Sequence, residues 1–272
     1  MDIITSKTNN KVKFLKSLND KKTRQKNKAY YLEGVKVINE VLDKKEAIDI
    51  MFIAYSKTIL EKVKGGVTLI KRLNNTKNIN IILLDEKTFK YAVDTVTPQG
   101  VVAVIKIKEI DLNILIKNLT KNILLLDKIQ DSGNLGTIIR SAVALDIDLI
   151  ICTKNTADVY SPKVVRSTMS AILKEKIIYL DDEYLNKIIY KFKENGYVVT
   201  GLFLNTDKNI KDINFNKKHI FVLGNEANGI SDEVEKLCDE KVKIEMTDNI
   251  ESLNVGIATG IILYEQFKNK NN

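Results

Sequence analysis

The sequence predicts an α/β protein built in two parts, and three observations carry that expectation. Short apolar runs alternate along the chain with stretches of helical apolar spacing, the pattern of strands covered by helices. The alternation is cleanest beyond residue 122, where strands separated by helices imply a mostly parallel sheet covered on both faces. The length, 272 residues, is generous for one domain and ordinary for two. We place one small α/β domain at 1–107, a partly helical linker at 108–121 and a second α/β domain at 122–272.

In the first part, 30–32, 48–54, 79–84 and 101–107 read as strands, and 35–42 and 87–93 as helices. Thr97-Pro98-Gln99-Gly100 is a turn signal. In the second part, strands are expected at 123–126, 148–152, 177–180, 197–203, 220–223 and 242–246. Helices are expected at 134–145, 161–173, 183–194, 231–238 and 253–267. Ser161-Pro162 is a helix start, with Ser as cap and Pro in the first turn.

Composition removes several classes. Hydrophobic residues make up 44% of the chain, enough for a core and too many for disorder. No apolar run approaches membrane-spanning length. The beginning lacks a secretory signal layout, and two cysteines and one histidine make neither a disulfide scaffold nor a metal cluster. A reducing, cytoplasmic setting and no metal are expected. His219 reads as structural, Cys152 and Cys238 as buried or half-buried thiols.

The net charge is +8, and residues 1–28 alone carry nine positive side chains against two negative ones. Val12, Leu15 and Leu18 form an apolar stripe at steps of three, so the segment reads as a basic helix docked on one side. Its outer face, with Lys7, Lys11, Lys21, Lys22, Arg24 and Lys26, suits a polyanion such as RNA. A merely solvated helix and a membrane-surface helix are the alternatives.

Three loops follow strands in the second part. Asp131-Ser132-Gly133-Asn134-Leu135-Gly136 opens a helix, with Asn134 placed to cap it and Arg140 just off its apolar stripe. Leu223-Gly224-Asn225-Glu226-Ala227-Asn228-Gly229 has glycines bracketing a Glu. It lacks the Lys-Ser/Thr of a phosphate-binding P-loop, and no dinucleotide fingerprint occurs. Ser252-Leu253-Asn254-Val255-Gly256 leads into the last helix, with Ser252 placed to cap it. Gly256 and Gly260 leave one helix face small enough for close packing, within the chain or across a dimer. Each loop alone also reads as an ordinary cap or turn. Together they gather Asn134, Arg140, Glu226, Ser252 and Asn254 at strand ends of one sheet, as a polar-substrate pocket needs.

In order and type the three loops resemble the signature motifs of the SpoU (TrmH) class of RNA ribose 2′-O-methyltransferases. The matching stretches are N-L-G-T-I-I-R-S-A at 134–142, F-V-L-G-N-E-A-N-G-I at 221–230 and S-L-N-V-G-I-A at 252–258. The segment S-P-K-V-V-R-S at 161–167 is similar to the family as well. Y-L-E-G-V-K at 31–36 and T-P-Q-G at 97–100 resemble the RNA-recognition domain that often precedes the catalytic one.

The resemblance implies a catalytic domain of SPOUT type, a sheet whose end is tied in a trefoil knot that holds S-adenosylmethionine. It implies cofactor contacts from Thr200, Leu202, Leu223, Gly224, Asn225, Gly229, Ile244, Met246, Ser252 and Leu253. Arg140, Asn134, Glu226, Ser252 and Asn254 match the family's catalytic positions, and a homodimer acting on ribosomal RNA is expected. Transfer RNA as substrate, or a silent RNA-binding or ribosome-assembly protein, are the alternatives. Where the family has Ile-Pro-Met, this chain has Ile244-Glu245-Met246, which bears on loop stiffness there. An arginine side chain is protonated at any ordinary pH. Arg140 is therefore read as a charged fork that fixes a phosphate and stabilises the developing alkoxide, rather than as a base.

Overall fold

The computed structural model describes residues 2–271. The chain divides into two compact units, one of residues 1–109 with 160–170, the other of 110–159 with 171–272.

The first unit has a five-stranded mixed sheet. Its elements in chain order are β1 (Ile3–Ile4), α1 (Asn10–Ser17), α2 (Lys21–Asn27), β2 (Ala29–Glu33), α3 (Val35–Asp43), β3 (Ile50–Tyr55), α4 (Lys57–Leu60), α5 (Gly66–Asn75), β4 (Ile81–Leu84), α6 (Glu86–Ala92) and β5 (Val101–Lys106). The strand order is β1-β4-β3-β5-β2, with β5 antiparallel to both its neighbours and the other pairs parallel.

The basic N-terminal segment is not one helix. Two residues of it form edge strand β1, and the rest splits at Leu18–Asp20. Asn9 caps α1 through its side chain, and Asp20 caps α2. Arg24 is not on an exposed basic face. It is 4% exposed, and its guanidinium donates to the Leu18 carbonyl at 2.7 Å, satisfying an acceptor the broken helix leaves open. The apolar stripe Val12, Leu15 and Leu18 is fully buried. The Y-L-E-G and T-P-Q-G segments meet here. Glu33 accepts from the Gln99 backbone N–H at 2.9 Å, and the Gln99 side-chain oxygen accepts from the Val35 N–H at 3.1 Å. Gly100, at φ +83°, lies so close to Leu60 that a Cβ would sit 2.8 Å from its nitrogen.

The second unit opens on α7 (Leu112–Asn118), whose Leu115 and Ile116 enter its core. Then come β6 (Ile123–Leu126), α8 (Ser132–Ala144) and β7 (Leu149–Thr153). The excursion 160–170 packs with the first unit and carries α9 (Pro162–Ser167), which Ser161 caps. The Tyr160 ring lies 4.9 Å from that of Tyr30. The helix expected to reach residue 173 stops early because Met169 takes a left-handed φ of 59°. The chain returns through β8 (Ile177–Leu180), α10 (Asp182–Glu194), β9 (Tyr197–Leu202), β10 (Lys218–Leu223), α11 (Asp232–Glu235), β11 (Glu240–Val242) and α12 (Val255–Asn271).

All six strands are parallel, in the order β11-β9-β10-β6-β7-β8. The inner strands are buried on both faces, which is why they read as unbroken apolar runs such as Ile123–Leu126. The last strand, expected at 242–246, is shorter and earlier, and residues 244–254 are an irregular loop. His219 is buried in β10. Its Nε2–H donates to the Asn214 carbonyl at 3.0 Å, so Nδ1 accepts from the Thr200 hydroxyl at 2.9 Å. Cys152 is fully buried and Cys238 half-buried.

Candidate active site

In an open parallel sheet the crevice for ligands lies beyond the carboxyl ends of the strands, where the strand order reverses. Here the reversal falls between β6 and β10. The chain runs outward from β6 through β7 to β8, then returns on the other side through β9 to β10. The loops after β6 and β10 therefore face each other, and they are the first and second of the three loops marked in the sequence.

A buried carboxylate, unmarked in the sequence, ties them together. Asp127, the first residue after β6, is completely buried. It accepts the Ser231 N–H at 2.8 Å and the Thr153 hydroxyl at 3.2 Å. Its own N–H donates to Leu223 at 2.8 Å. A polar residue directly after a fully apolar strand was the available signal. The loop after β10 closes on itself through paired Asn225 and Gly229 backbone bonds of 2.9 Å each. A Cβ on Gly224 would lie 2.1 Å from the Gly229 carbonyl carbon, so only glycine fits.

Asp131, not Asn134, caps α8, accepting the Asn134 N–H at 2.8 Å. That leaves the Asn134 side chain for longer reach. Its amide donates to Glu226 at 3.0 Å, and its oxygen accepts from the Asn254 amide at 2.8 Å. Asn254 in turn takes the Gly256 N–H at 2.9 Å and so caps α12, the task expected of Ser252. Ser252 is exposed in the loop before it. One chain of hydrogen bonds thus joins all three loops: Glu226, Asn134, Asn254, Gly256.

Glu226 also takes the N–H groups of Gln130 and Asp131, at 3.3 Å each. Partial burial is the largest single influence and pushes its carboxyl pKa up. The Asn134 amide and these backbone donors together outweigh it, and the group stays ionised below its ordinary range. With its lone pairs so engaged, Glu226 is an organiser and a poor proton acceptor. Arg140 lies two turns into α8, exposed, with no hydrogen bond or ion pair among the described residues.

The expected cofactor residues fall into two groups. Leu202, Leu223 and Val242 end three adjacent strands at one edge. Leu202, Ile244, Met246 and Leu253, on or after the strands that end there, are half-buried. Thr200 does not face a pocket: it is buried and its hydroxyl is held by His219. Asn225 and Gly229 line a cavity of about 440 Å³ with Lys128, Gln130, Asn155, Asn228 and Ser231. A shallow second cavity is lined by Asp248, Asn249, Ile250, Glu251 and Ser252. Apolar side chains and bare loop backbone, together with amides and hydroxyls, suit a nucleoside carrying an amino-acid tail, so these residues fit S-adenosylmethionine. Of the expected RNA contacts, Lys7, Lys21, Lys22 and Lys26 are exposed, Lys11 is held by Asn80 at 2.8 Å, and Arg24 is buried.

Fold and site together define an α/β protein with its ligand crevice at the switch point of a parallel sheet, where hydrogen bonds join three loops. Comparison with known proteins gives the class a family. Residues 121–264 match the SpoU rRNA Methylase family and residues 9–103 the MRM3-like substrate binding domain. The chain is 27% identical over 97% of its length, and 98% of the relative's, to the 23S rRNA (guanosine(2553)-2′-O)-methyltransferase RlmP of Bacillus subtilis. It is 30% identical to an uncharacterised tRNA/rRNA methyltransferase of Synechocystis, covering 96% of this chain and 92% of that one. Its fold matches the AdoMet-bound rRNA methyltransferase of Sinorhizobium meliloti with a TM-score of 0.82, at 26% identity and 98% coverage of both chains. The chain belongs to the SpoU rRNA methylase family.

Proposed function

We propose that this protein transfers the methyl group of S-adenosylmethionine to a ribose 2′-hydroxyl of RNA, with ribosomal RNA as substrate. The observation that carries the reading is the hydrogen-bond chain Glu226–Asn134–Asn254, which draws the three family motifs together at the switch point of the sheet. The full-length likeness to RlmP, named for such a reaction on 23S rRNA, supports the choice of RNA.

Bound S-adenosylmethionine supplies an electrophilic methyl on a sulfonium. The protein's residues prepare the acceptor. Gly224 and the backbone to Gly229, with Leu202, Leu223, Ile244, Met246 and Leu253, hold the cofactor. Asn134, Glu226 and Asn254 brace the loops, and Ser252 lies at the rim. Arg140, permanently cationic, grips an RNA phosphate and stabilises the oxyanion as the 2′-hydroxyl proton leaves to water. Much of the acceleration comes from orientation.

Three finer readings accompany this. The chain leaves edge strand β11, yet α12 packs on α8 beyond β9 and β10, and residues 209 and 243 pair in a bridge on the way. That path supports a trefoil knot. Ile257 and Tyr264, 55% and 60% exposed, lie seven residues apart on one face of α12 beside Gly260, where a Cβ would meet open space. That face supports a homodimer, and sedimentation at micromolar concentration is expected to give twice the chain mass. The described residues hold no helix long and apolar enough to cross a membrane. A substrate in ribosomes supports a cytoplasmic setting.

The test is transfer of labelled methyl from S-adenosylmethionine to unmodified ribosomal and transfer RNA pools, beside Arg140→Ala. Label in ribosomal RNA, lost at least about 100-fold in the variant while cofactor affinity stays within twofold, is the expected result. Label in transfer RNA alone moves the substrate. Intact cofactor binding without label in either pool overturns the substrate, and loss of both overturns the enzyme.

A further inference from the structure

The basic segment at the start of the chain is only partly available to a polyanion, and what is available is not evenly spread. Arg24 is buried, Lys11 is held by Asn80, and Lys28 is paired with Glu109. Of the remaining cations, two converge on a single aromatic ring. The Lys7 ammonium lies 4.8 Å and the Lys16 ammonium 5.4 Å from the centroid of Tyr91. Among the described residues no other ring carries two ammonium groups. Neither lysine has an ion-pair partner among them either.

The elements explain the convergence. Helix α6 buries Thr88, Phe89 and Ala92, which turns Tyr91 outward, and the ring is 39% exposed. Helix α1 packs on α6, burying Val12 and Leu15 and turning Lys16 toward the same side. Lys7 sits in the turn between β1 and α1. Two like charges held at one ring repel each other, and no carboxylate among the described residues pairs with either. An exposed ring with unpaired cations over it is the combination that takes an unstacked base once the neighbouring phosphates draw the ammonium groups aside.

Resting on the reading that this protein acts on RNA, we propose that Tyr91, Lys7 and Lys16 form a contact for an unpaired stretch of the RNA substrate. One base stacks on Tyr91, and the two lysines take the phosphates that flank it. The site belongs to the first unit alone.

The test is fluorescence anisotropy with the full-length protein, using a labelled 12-nucleotide oligouridine, a 12-base-pair RNA duplex and unmodified ribosomal RNA. Tyr91→Ala removes the stacking surface for one base and is expected to weaken oligouridine binding about tenfold. Tyr91→Phe is expected to stay within twofold of wild type. The pair Lys7→Gln and Lys16→Gln is expected to lower the slope of log K against log salt by about 1.4, roughly 0.7 per phosphate on a single strand. Oligouridine affinity unchanged in Tyr91→Ala overturns the proposal, as does an equal loss on the duplex. Wild-type protein that binds ribosomal RNA but not oligouridine overturns it while leaving the RNA reading intact. Wild-type protein that binds neither overturns both.

Discussion

The two edges of the parallel sheet hold their buried and half-buried carboxylates in different ways. At the amino edge, cations and carboxylates neutralise one another: Lys121 pairs with Asp146 at 2.5 Å and Lys193 with Asp239 at 2.6 Å. Asp239 also takes the Val199 N–H at 2.9 Å, and Asp148 takes the N–H of Lys121 at 3.2 Å. At the carboxyl edge, Asp127 and Glu226 are held by amides, hydroxyls and backbone N–H groups. Mutual pairing keeps strands and helix ends in register. Holding these two carboxylates with neutral donors ties up no cation in the loops that a polyanion has to approach.

The sharpest way to break the carboxyl edge is Gly224→Ala. The loop has to open to admit the Cβ, and misplacement on that scale costs about 100-fold in methyl transfer. Calorimetric titration with S-adenosylmethionine is expected to show the loss in binding. Next is Asp127→Asn, which leaves either the Ser231 N–H or the Thr153 hydroxyl without its acceptor in a dry site. Urea unfolding is expected to show a loss of about 2–3 kcal/mol.

The amino edge holds one group that runs the other way. Burial raises the Glu175 carboxyl to about 8, against some relief from the Lys176 N–H and side chain. The folded protein thus keeps a proton the unfolded chain gives up, and stability falls as pH rises from about 4.5 to 8. Glu175→Gln is expected to stabilise by about 1–2 kcal/mol at pH 8.5 and by nothing measurable near pH 4.

His219 gives a smaller effect of opposite slope. Burial lowers its pKa, so below about 6.5 the unfolded chain takes up a proton the fold refuses, and stability declines as pH falls from there. The decline in melting temperature between pH 6.5 and 5 is expected to flatten in His219→Gln. The smallest change is Lys121→Met, which removes a partly exposed pair and is expected to cost under about 1 kcal/mol in urea.

What the sequence made legible follows from how far each signal reaches. Strand 123–126 matches to the residue, because a strand buried on both faces has no polar interruption to blur its ends. The N-terminal segment was misread as one helix because its break depends on a distant effect. Asp20 restarts the helix locally, but Arg24 swinging back to Leu18 is a packing event no periodicity records. Asn134 and Ser252 were assigned caps by local rules that favour any such residue before a helix. Asp131 and Asn254 took those places, and Asn134 was released to join Glu226 to Asn254. The motifs were visible as residues; the bonds between them, spanning 92 and 120 positions, were not.

The last of those bonds sets a schedule for synthesis. Asn134 finds its Asn254 partner only after 120 further residues have been made, and α12 reaches α8 only then. The first unit and strands β6 to β10 have all their own pairing partners earlier, so a growing chain holds its sheet before it holds its site. A chain released just before residue 254 has the strands of both sheets and lacks the amide that joins the third loop to the first.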